Sequence, residues 1–328
     1  MRASLALKQR KVEKQAMTLE MAISVERLTR WYGDKAVIDD ISFSVERGTI
    51  TGFLGANGAG KTTTIKMLLG LLRPAGGRIN VIGYPVPDEI AQVRSRIGVL
   101  LENNGIYGRL KVSQNLHFFG EAYGLSVAET EVRSRRLMHW LGLDSLAERR
   151  VSDLSTGERR KLGIARVFLH DPELILLDEP TLGLDIESAL SLRDALLQLA
   201  KERSTTVFLT THQLTEVERL CDRVVVLRDG RVAADTTPRA LAERSRQPVV
   251  NVRAENLTQA ALDAVLKLPG VKDLSADECE LRVSYENNPD SAALVRTLAS
   301  SGVAVVEVRS DHGEFERALL DLMHEDPV

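Results

Sequence analysis

The chain lacks three things, and each shortage excludes a class of protein. It has only two cysteines, Cys221 and Cys279, in 328 residues. They lie far apart without metal or redox spacing, which excludes a disulfide framework and points to a reduced, cytoplasmic protein. No uninterrupted apolar run exceeds about six residues, so no segment is long enough to span a bilayer. An excess of positive charge is missing too: the net charge is −3, and residues 249–328 hold seven Lys and Arg against fifteen Asp and Glu. A nucleic-acid-binding tail shows the reverse balance, so no nucleic-acid partner is expected.

What is present is ordinary for a soluble globular protein: 44% hydrophobic and 27% charged residues, in a chain long enough for about two domains. Residues 1–20 form a basic N-terminal extension, with Arg2, Lys8, Arg10, Lys11 and Lys14 against Glu13 and Glu20. It lacks the apolar core of a signal peptide and reads as a disordered extension or a misplaced start, with anionic lipid contact as the alternative.

Strand-like segments at residues 23–25, 36–45 and 50–54 precede a helix-like stretch at 62–71, and short apolar runs follow at 78–82 and 97–101. Residues 111–150 turn helical, with Leu116, Phe118, Phe119, Tyr123, Leu137, Trp140 and Leu141 at near-helical spacing, a pattern expected to be core packing. Strand-like runs return at 174–177, 207–211 and 224–227, with a helix-like stretch at 186–199 between the first two. This alternation predicts an α/β layer with a largely parallel sheet over residues 21–240, carrying a helical insertion at about 100–155. Past Pro238, residues 248–328 read β-α-β-β-α-β, the order of a ferredoxin-like α+β unit.

Residues 55–63 read GANGAGKTT after an apolar strand, which is G-x-x-x-x-G-K-T, a loop that wraps phosphates in backbone N–H groups. Gly55, Asn57, Gly58, Ala59, Gly60, Lys61, Thr62 and Thr63 are therefore candidate nucleotide-binding residues. Lys61 is placed to reach the β- and γ-phosphates, and the Thr62 hydroxyl to ligate Mg²⁺. A buried strand ending in a carboxylate should accompany such a loop, and residues 174–179, LILLDE, supply it. Asp178 is expected to hold Mg²⁺ through water, and Glu179 to orient or deprotonate the attacking water. Nothing suggests the phosphoacceptor site of a kinase.

Residues 154–158, LSTGE, open a helical stretch twenty residues before that strand. Alone the string is a helix cap. Between a phosphate loop and an Asp-Glu strand it resembles the signature motif of ATP-binding cassette (ABC) ATPases. Leu182-Gly183-Leu184-Asp185 resembles that family's D-loop, and Thr211-His212 at a strand end its switch histidine. Tyr32 resembles the aromatic that stacks on adenine. The resemblance runs over residues 23–240 and implies a P-loop NTPase fold that binds and hydrolyses ATP with Mg²⁺. It also implies a composite site in which Ser155, Thr156, Gly157 and Glu158 of one chain face the nucleotide of a second copy, Asp185 lies in the D-loop, and His212 contacts the γ-phosphate.

Two departures stand out. Glu102 replaces the usual glutamine of the lid loop; its oxygen remains able to ligate metal or water, but its charge is expected to weaken binding or to delay hydrolysis until a partner closes the site. The signature carries Thr156 and Glu158 in place of glycine and glutamine, variants that resemble drug and polysaccharide exporter cassettes. Residues 313–320, GEFERALL, resemble the closing helix of an accessory domain on resistance-exporter cassettes, for which a dimerisation or regulatory role is expected. The expectation is thus the ATPase subunit of an exporter, peripheral to the cytoplasmic face of the membrane. A separate integral membrane permease is expected to dock near Glu102 and residues 103–114. The alternatives are a translation factor or DNA-repair cassette, against which stand the single set of motifs and the lack of coiled coils or zinc modules, and a silent regulator, against which stand the intact Lys61, Asp178, Glu179 and His212.

Overall fold

Alternation of apolar and polar residues builds the first two strands: Ile23, Val25 and Leu28 point inward from β1 (Met21–Tyr32), and Ile38, Ile41, Phe43 and Val45 from β2 (Lys35–Glu46). In the computed structural model, residues 21–101, 104–211, 214–244, 249–277, 279–286, 289–310 and 314–324 are described. The chain divides into two compact units, residues 1–238 and 239–328.

In the first unit β1 and β2 join β4 (Gly76–Val81) and β5 (Tyr84–Val86) in an antiparallel sheet of order β2-β1-β4-β5. The sequence reading did not separate this sheet from the parallel one. The second sheet is β3 (Ile50–Gly55), β6 (Ile97–Leu100), β7 (Leu174–Asp178), β8 (Thr206–Thr210), β9 (Arg223–Arg228) and β10 (Arg231–Thr236), in the order β10-β9-β3-β8-β7-β6. Its pairings are parallel except at the β9–β10 edge hairpin. The expected largely parallel layer is therefore present. Its central strands are buried on both faces, which is why they read as unbroken apolar runs. Phe43 of β2, Phe53 of β3 and Phe208 of β8, with ring centroids 5.2 to 5.9 Å apart, lock the two sheets into one core.

The helices are α1 (Lys61–Leu68), α2 (Ile90–Arg94), α3 (Val112–Ala122), α4 (Val127–Trp140), α5 (Thr156–Phe168), α6 (Ile186–Arg203), α7 (Leu214–Leu220) and α8 (Pro238–Arg244). α1 stops short of the expected residue 71 because Gly70 turns the chain with φ +64°. α3, α4 and α5 pack on one another as a helical cluster, and α5 also packs on β6. Leu116, Leu137 and Leu141 are buried there, but Phe118 is 44% exposed, so the aromatic stripe is not wholly core as expected. Phe118 and Phe119 instead group with Tyr107, itself 49% exposed.

The second unit runs β11 (Val249–Glu255), α9 (Gln259–Leu266), β12 (Val271–Ala276), β13 (Glu280–Tyr285), α10 (Ser291–Ser300), β14 (Ala304–Ser310) and α11 (Glu314–His324). Its antiparallel sheet has the order β12-β13-β11-β14, which is the ferredoxin-like arrangement. Val250, Val252, Leu281 and Val283 of the sheet bury against Ala261, Val265, Leu294 and Leu298 of the helices.

Candidate active site

β3 delivers the chain into the phosphate loop, and the loop's shape depends on Gly60. It adopts φ +107°, and a Cβ there would overlap the Ile38 Cδ1 and lie 2.9 Å from the Val37 carbonyl oxygen. No other residue allows this close passage beside β2. The loop then enters α1, whose first-turn N–H groups have no intrahelical acceptors and form an anion-accepting end. The half-buried Lys61 ammonium donates to the carbonyl oxygens of Gly55 at 2.7 Å and Ala56 at 3.1 Å. Burial pushes its pKa down, opposed by the nearby Glu179 and Asp178 carboxylates.

Asp178 ends β7 and is buried. Its Oδ1 accepts from the Thr210 hydroxyl at 2.6 Å and its Oδ2 from the Thr62 hydroxyl at 3.1 Å. One carboxylate thus ties the ends of β7 and β8 to the first turn of α1. The hydroxyl and carboxylate beside the loop are hard oxygen donors of the type Mg²⁺ takes, so the residues fit that ion. Glu179 follows with its backbone in the left-handed region, φ +49°. Its N–H donates to the Thr210 carbonyl at 3.1 Å and hydroxyl at 3.2 Å.

The LSTGE segment forms the start of α5. Ser155 is its N-cap: the hydroxyl accepts from Glu158 N–H at 3.2 Å, and Glu158 Oε2 accepts from Ser155 N–H at 2.7 Å. The capping expectation for this string therefore holds, and it orients the exposed end of the helix. That Ser155 N–H, and then the hydroxyl, hold the Glu158 carboxyl below its usual pKa. A Cβ on Gly157 would come within 2.9 Å of the Gly183 carbonyl oxygen, so the signature turn rests on the D-loop turn of its own chain. Lys161 Nζ stands 3.2 Å from Asp185 Oδ2. Asp185 also caps α6 by accepting from Ser188 N–H at 2.8 Å. That bond, followed by the Ser188 hydroxyl and Lys161, holds the Asp185 pKa down at about 2.

A groove of about 920 Å³ brings Asn57, Gly58, Gly60, Lys61, Thr62 and Thr63 together with Asp178, Glu179 and Thr156. Gly55, Ala59, Tyr32, Ser155, Gly157, Glu158 and Asp185 are not among its lining residues. Tyr32 is exposed near the end of β1, with the Arg30 guanidinium 4.9 Å from its ring centroid. Glu102 and His212 lie outside the described residues, as do residues 1–20 and Asn103. Sequence reasoning missed Val37, Asn104 and Arg160, which line the same groove beside Leu182 and Gly183 of the D-loop string, and Thr210, which holds Asp178 and Glu179. Only Arg160 left a sequence signal: it falls on the same helical face as Gly163, Ile164 and Val167, where an arginine is out of place unless it has buried partners.

A glycine loop at a helix N-terminus, a hydroxyl–carboxylate pair beside it and a second carboxylate one residue on define a P-loop nucleoside triphosphatase. Residues 38–182 match the ABC transporter family. The chain is 31% identical over 304 residues to the linearmycin resistance ATP-binding protein of Bacillus subtilis, covering 92% of this chain and 97% of that one. It is 40% identical over 222 residues to the Nod factor export ATP-binding protein I of Paraburkholderia xenovorans, covering 68% and 73%. Among solved structures, an ATP-binding subunit of an ABC transporter superposes with a TM-score of 0.64 at 34% identity, over 68% of this chain and 92% of that one. The chain belongs to the ABC transporter family as an ATP-binding subunit, an ATPase of the ABC type.

Proposed function

We propose that this chain powers an exporter: two ATPase subunits clamp ATP between them, and a separate integral membrane permease carries the cargo. The observation that carries the reading is the placement of Lys61, Thr62, Asp178 and Glu179 around one groove, next to a helix N-terminus. Export is supported by the relatives' names, one for resistance to linearmycin and the other for Nod factor export. Among the described residues no helix is long and apolar enough to cross a membrane, in keeping with a peripheral subunit on the cytoplasmic face.

In this reading Lys61 and the loop amides bind the triphosphate, and Tyr32 stacks on the adenine. Thr62 and Asp178, with Glu102, hold Mg²⁺, which when bound offsets the charge of the β- and γ-phosphates. Glu179 takes a proton from the water that attacks the γ-phosphorus as the bond to ADP breaks, and His212 positions that water. The signature groups Ser155, Thr156, Gly157 and Glu158 serve the nucleotide of the second copy. Leu182, Ile186 and Leu190, at four-residue spacing and exposed, supply apolar surface for that copy. The exposed Tyr107 and Phe118 do the same for the permease beside residues 103–114. The C-terminal unit serves dimerisation or regulation, since its described charges lie on its surface.

Glu179→Gln tests the reading. Loss of the base should slow ATP turnover by about 10²- to 10⁴-fold, while ATP-dependent dimers accumulate in gel filtration. Turnover near wild type would reject Glu179 as the base, and an ATP-bound monomer would reject the clamp.

A further inference from the structure

Arg160 sits one turn into α5 and is 5% exposed. Among the described residues no carboxylate oxygen accepts from it; its partners there are backbone carbonyls and one side-chain amide. Nη2 donates to the carbonyl of Asp178 at 2.7 Å and to that of Glu179. Nε donates to the Pro180 carbonyl at 3.3 Å. Nη1 donates to the Leu101 carbonyl and to Asn104 Oδ1, both at 3.0 Å. A buried cation surrounded by amide oxygens pays a desolvation cost that an apolar side chain of the same volume avoids. Core packing therefore does not account for it.

The pattern of acceptors does. Residues 178–180 run from the last residue of β7 into the turn after it, where Glu179 holds a left-handed backbone at φ +49°. Such a conformation costs a non-glycine residue about 1 kcal/mol or more and persists only where the surroundings hold it. Here Thr210 accepts from the Glu179 N–H, and Arg160 donates to its carbonyl. The same guanidinium reaches Leu101 and Asn104 on β6's outgoing segment. Its own helix begins at the Ser155 cap. One side chain thus joins the signature helix, the strand end that bears the carboxylate, and the segment after β6.

We propose that Arg160 is a positioning residue: it sets the backbone of Glu179 and ties that carboxylate to the signature helix, so that a shift of α5 on engaging a second subunit is passed to the catalytic base of its own chain. The proposal rests on Glu179 being that base, and a double-mutant cycle separates the two claims. Full-length Arg160→Met and Arg160→Lys are each combined with Glu179→Gln, and kcat, KM for ATP and equilibrium ATP binding are measured. Arg160→Met should lower kcat by about tenfold or more with ATP affinity changed less than about twofold. Arg160→Lys, which keeps the charge but not the fork of donors, should fall between it and wild type. In the Glu179→Gln background neither change should slow turnover further, because the group that Arg160 positions is gone. Should Arg160→Met fail to fold, judged by its melting curve, Arg160→Lys carries the same cycle. Multiplicative losses in the double variant, or a fall in ATP affinity matching the fall in kcat, would overturn the role of Arg160. Wild-type turnover in Glu179→Gln alone would instead remove the base and the proposal with it.

Discussion

The two units handle polar burial in opposite ways. In the ATPase unit the described core admits Thr51, Thr64, Asn115, Arg160, Asp178, Thr210 and other polar side chains. In the C-terminal unit no described polar or charged side chain is buried, apart from the Tyr285 phenol. Its described charges stay exposed or half-buried, and some pair locally, as Arg309 does with Glu307 at 2.7 Å. A polar group inside a protein costs free energy unless it is bonded, so it is found where a site needs it. The first unit carries chemistry at that cost, while the second is built as a packing module. The acidic side chains of this unit whose burial is described are exposed or half-buried.

Four changes test how separate these units are. The largest effect is expected in the packing module: Leu298→Ala removes a fully buried side chain from α10 and should destabilise that unit by about 3 kcal/mol. Turnover of the folded protein should stay unchanged in an ATPase assay; a matching loss would show that the C-terminal unit controls the site. Lys61→Ala should weaken ATP binding by about 2 kcal/mol, the value of a charge-assisted contact, with no change in the melting of the C-terminal unit. Equal affinity in a titration would deny the lysine its phosphate role.

The third effect is pH-dependent and belongs to the ATPase unit. His170 stacks on Tyr123 with ring centroids 3.7 Å apart, and its Nε2 lies 3.1 Å from the Ile97 carbonyl oxygen. Burial is the main cause that lowers its pKa from 6.5 to about 4. The folded state therefore prefers the neutral ring, and its contribution is present above pH 6.5 and is lost as pH falls towards 4. Between pH 7 and pH 5 the loss should be on the order of 2 kcal/mol. His170→Gln, which keeps an N–H but cannot titrate, should flatten the dependence of melting temperature on pH over that range. The smallest effect returns to the second unit. Asp290 caps α10 by accepting from Ala293 N–H at 2.8 Å, and Asp290→Ala should cost about 1 kcal/mol by chemical denaturation.

Much of the site was legible because its parts are local. The loop at 55–63 and the strand 174–179 each need only neighbours in sequence to be recognised. Gly60 is a glycine for a tertiary reason, yet it is recognised by its place in the motif. Arg160, Asn104 and Thr210 were not legible, because their roles exist only where β6, β7, β8 and α5 converge. The antiparallel sheet was hidden for a similar reason. β1, β2 and β4 were legible as strand-like segments, but periodicity does not say which strand pairs with which, and the three-residue β5 is too short to show any. Phe118 is the reverse case: its helical spacing with Leu116 and Tyr123 suggested the core, and the packing of α3 leaves it exposed.

By itself, the sequence determined that this chain carries a phosphate loop, a carboxylate-ended strand and a signature string, and that a second α+β unit follows. These follow from backbone conformation and side-chain type, which are local properties. Only the tertiary structure decided that Asp178 is shared between Thr62 and Thr210, that Gly157 rests on Gly183, and that Arg160 grips the backbone of Glu179. Those are contacts between residues far apart along the chain, and they form because the apolar faces of the sheets and helices must be buried together.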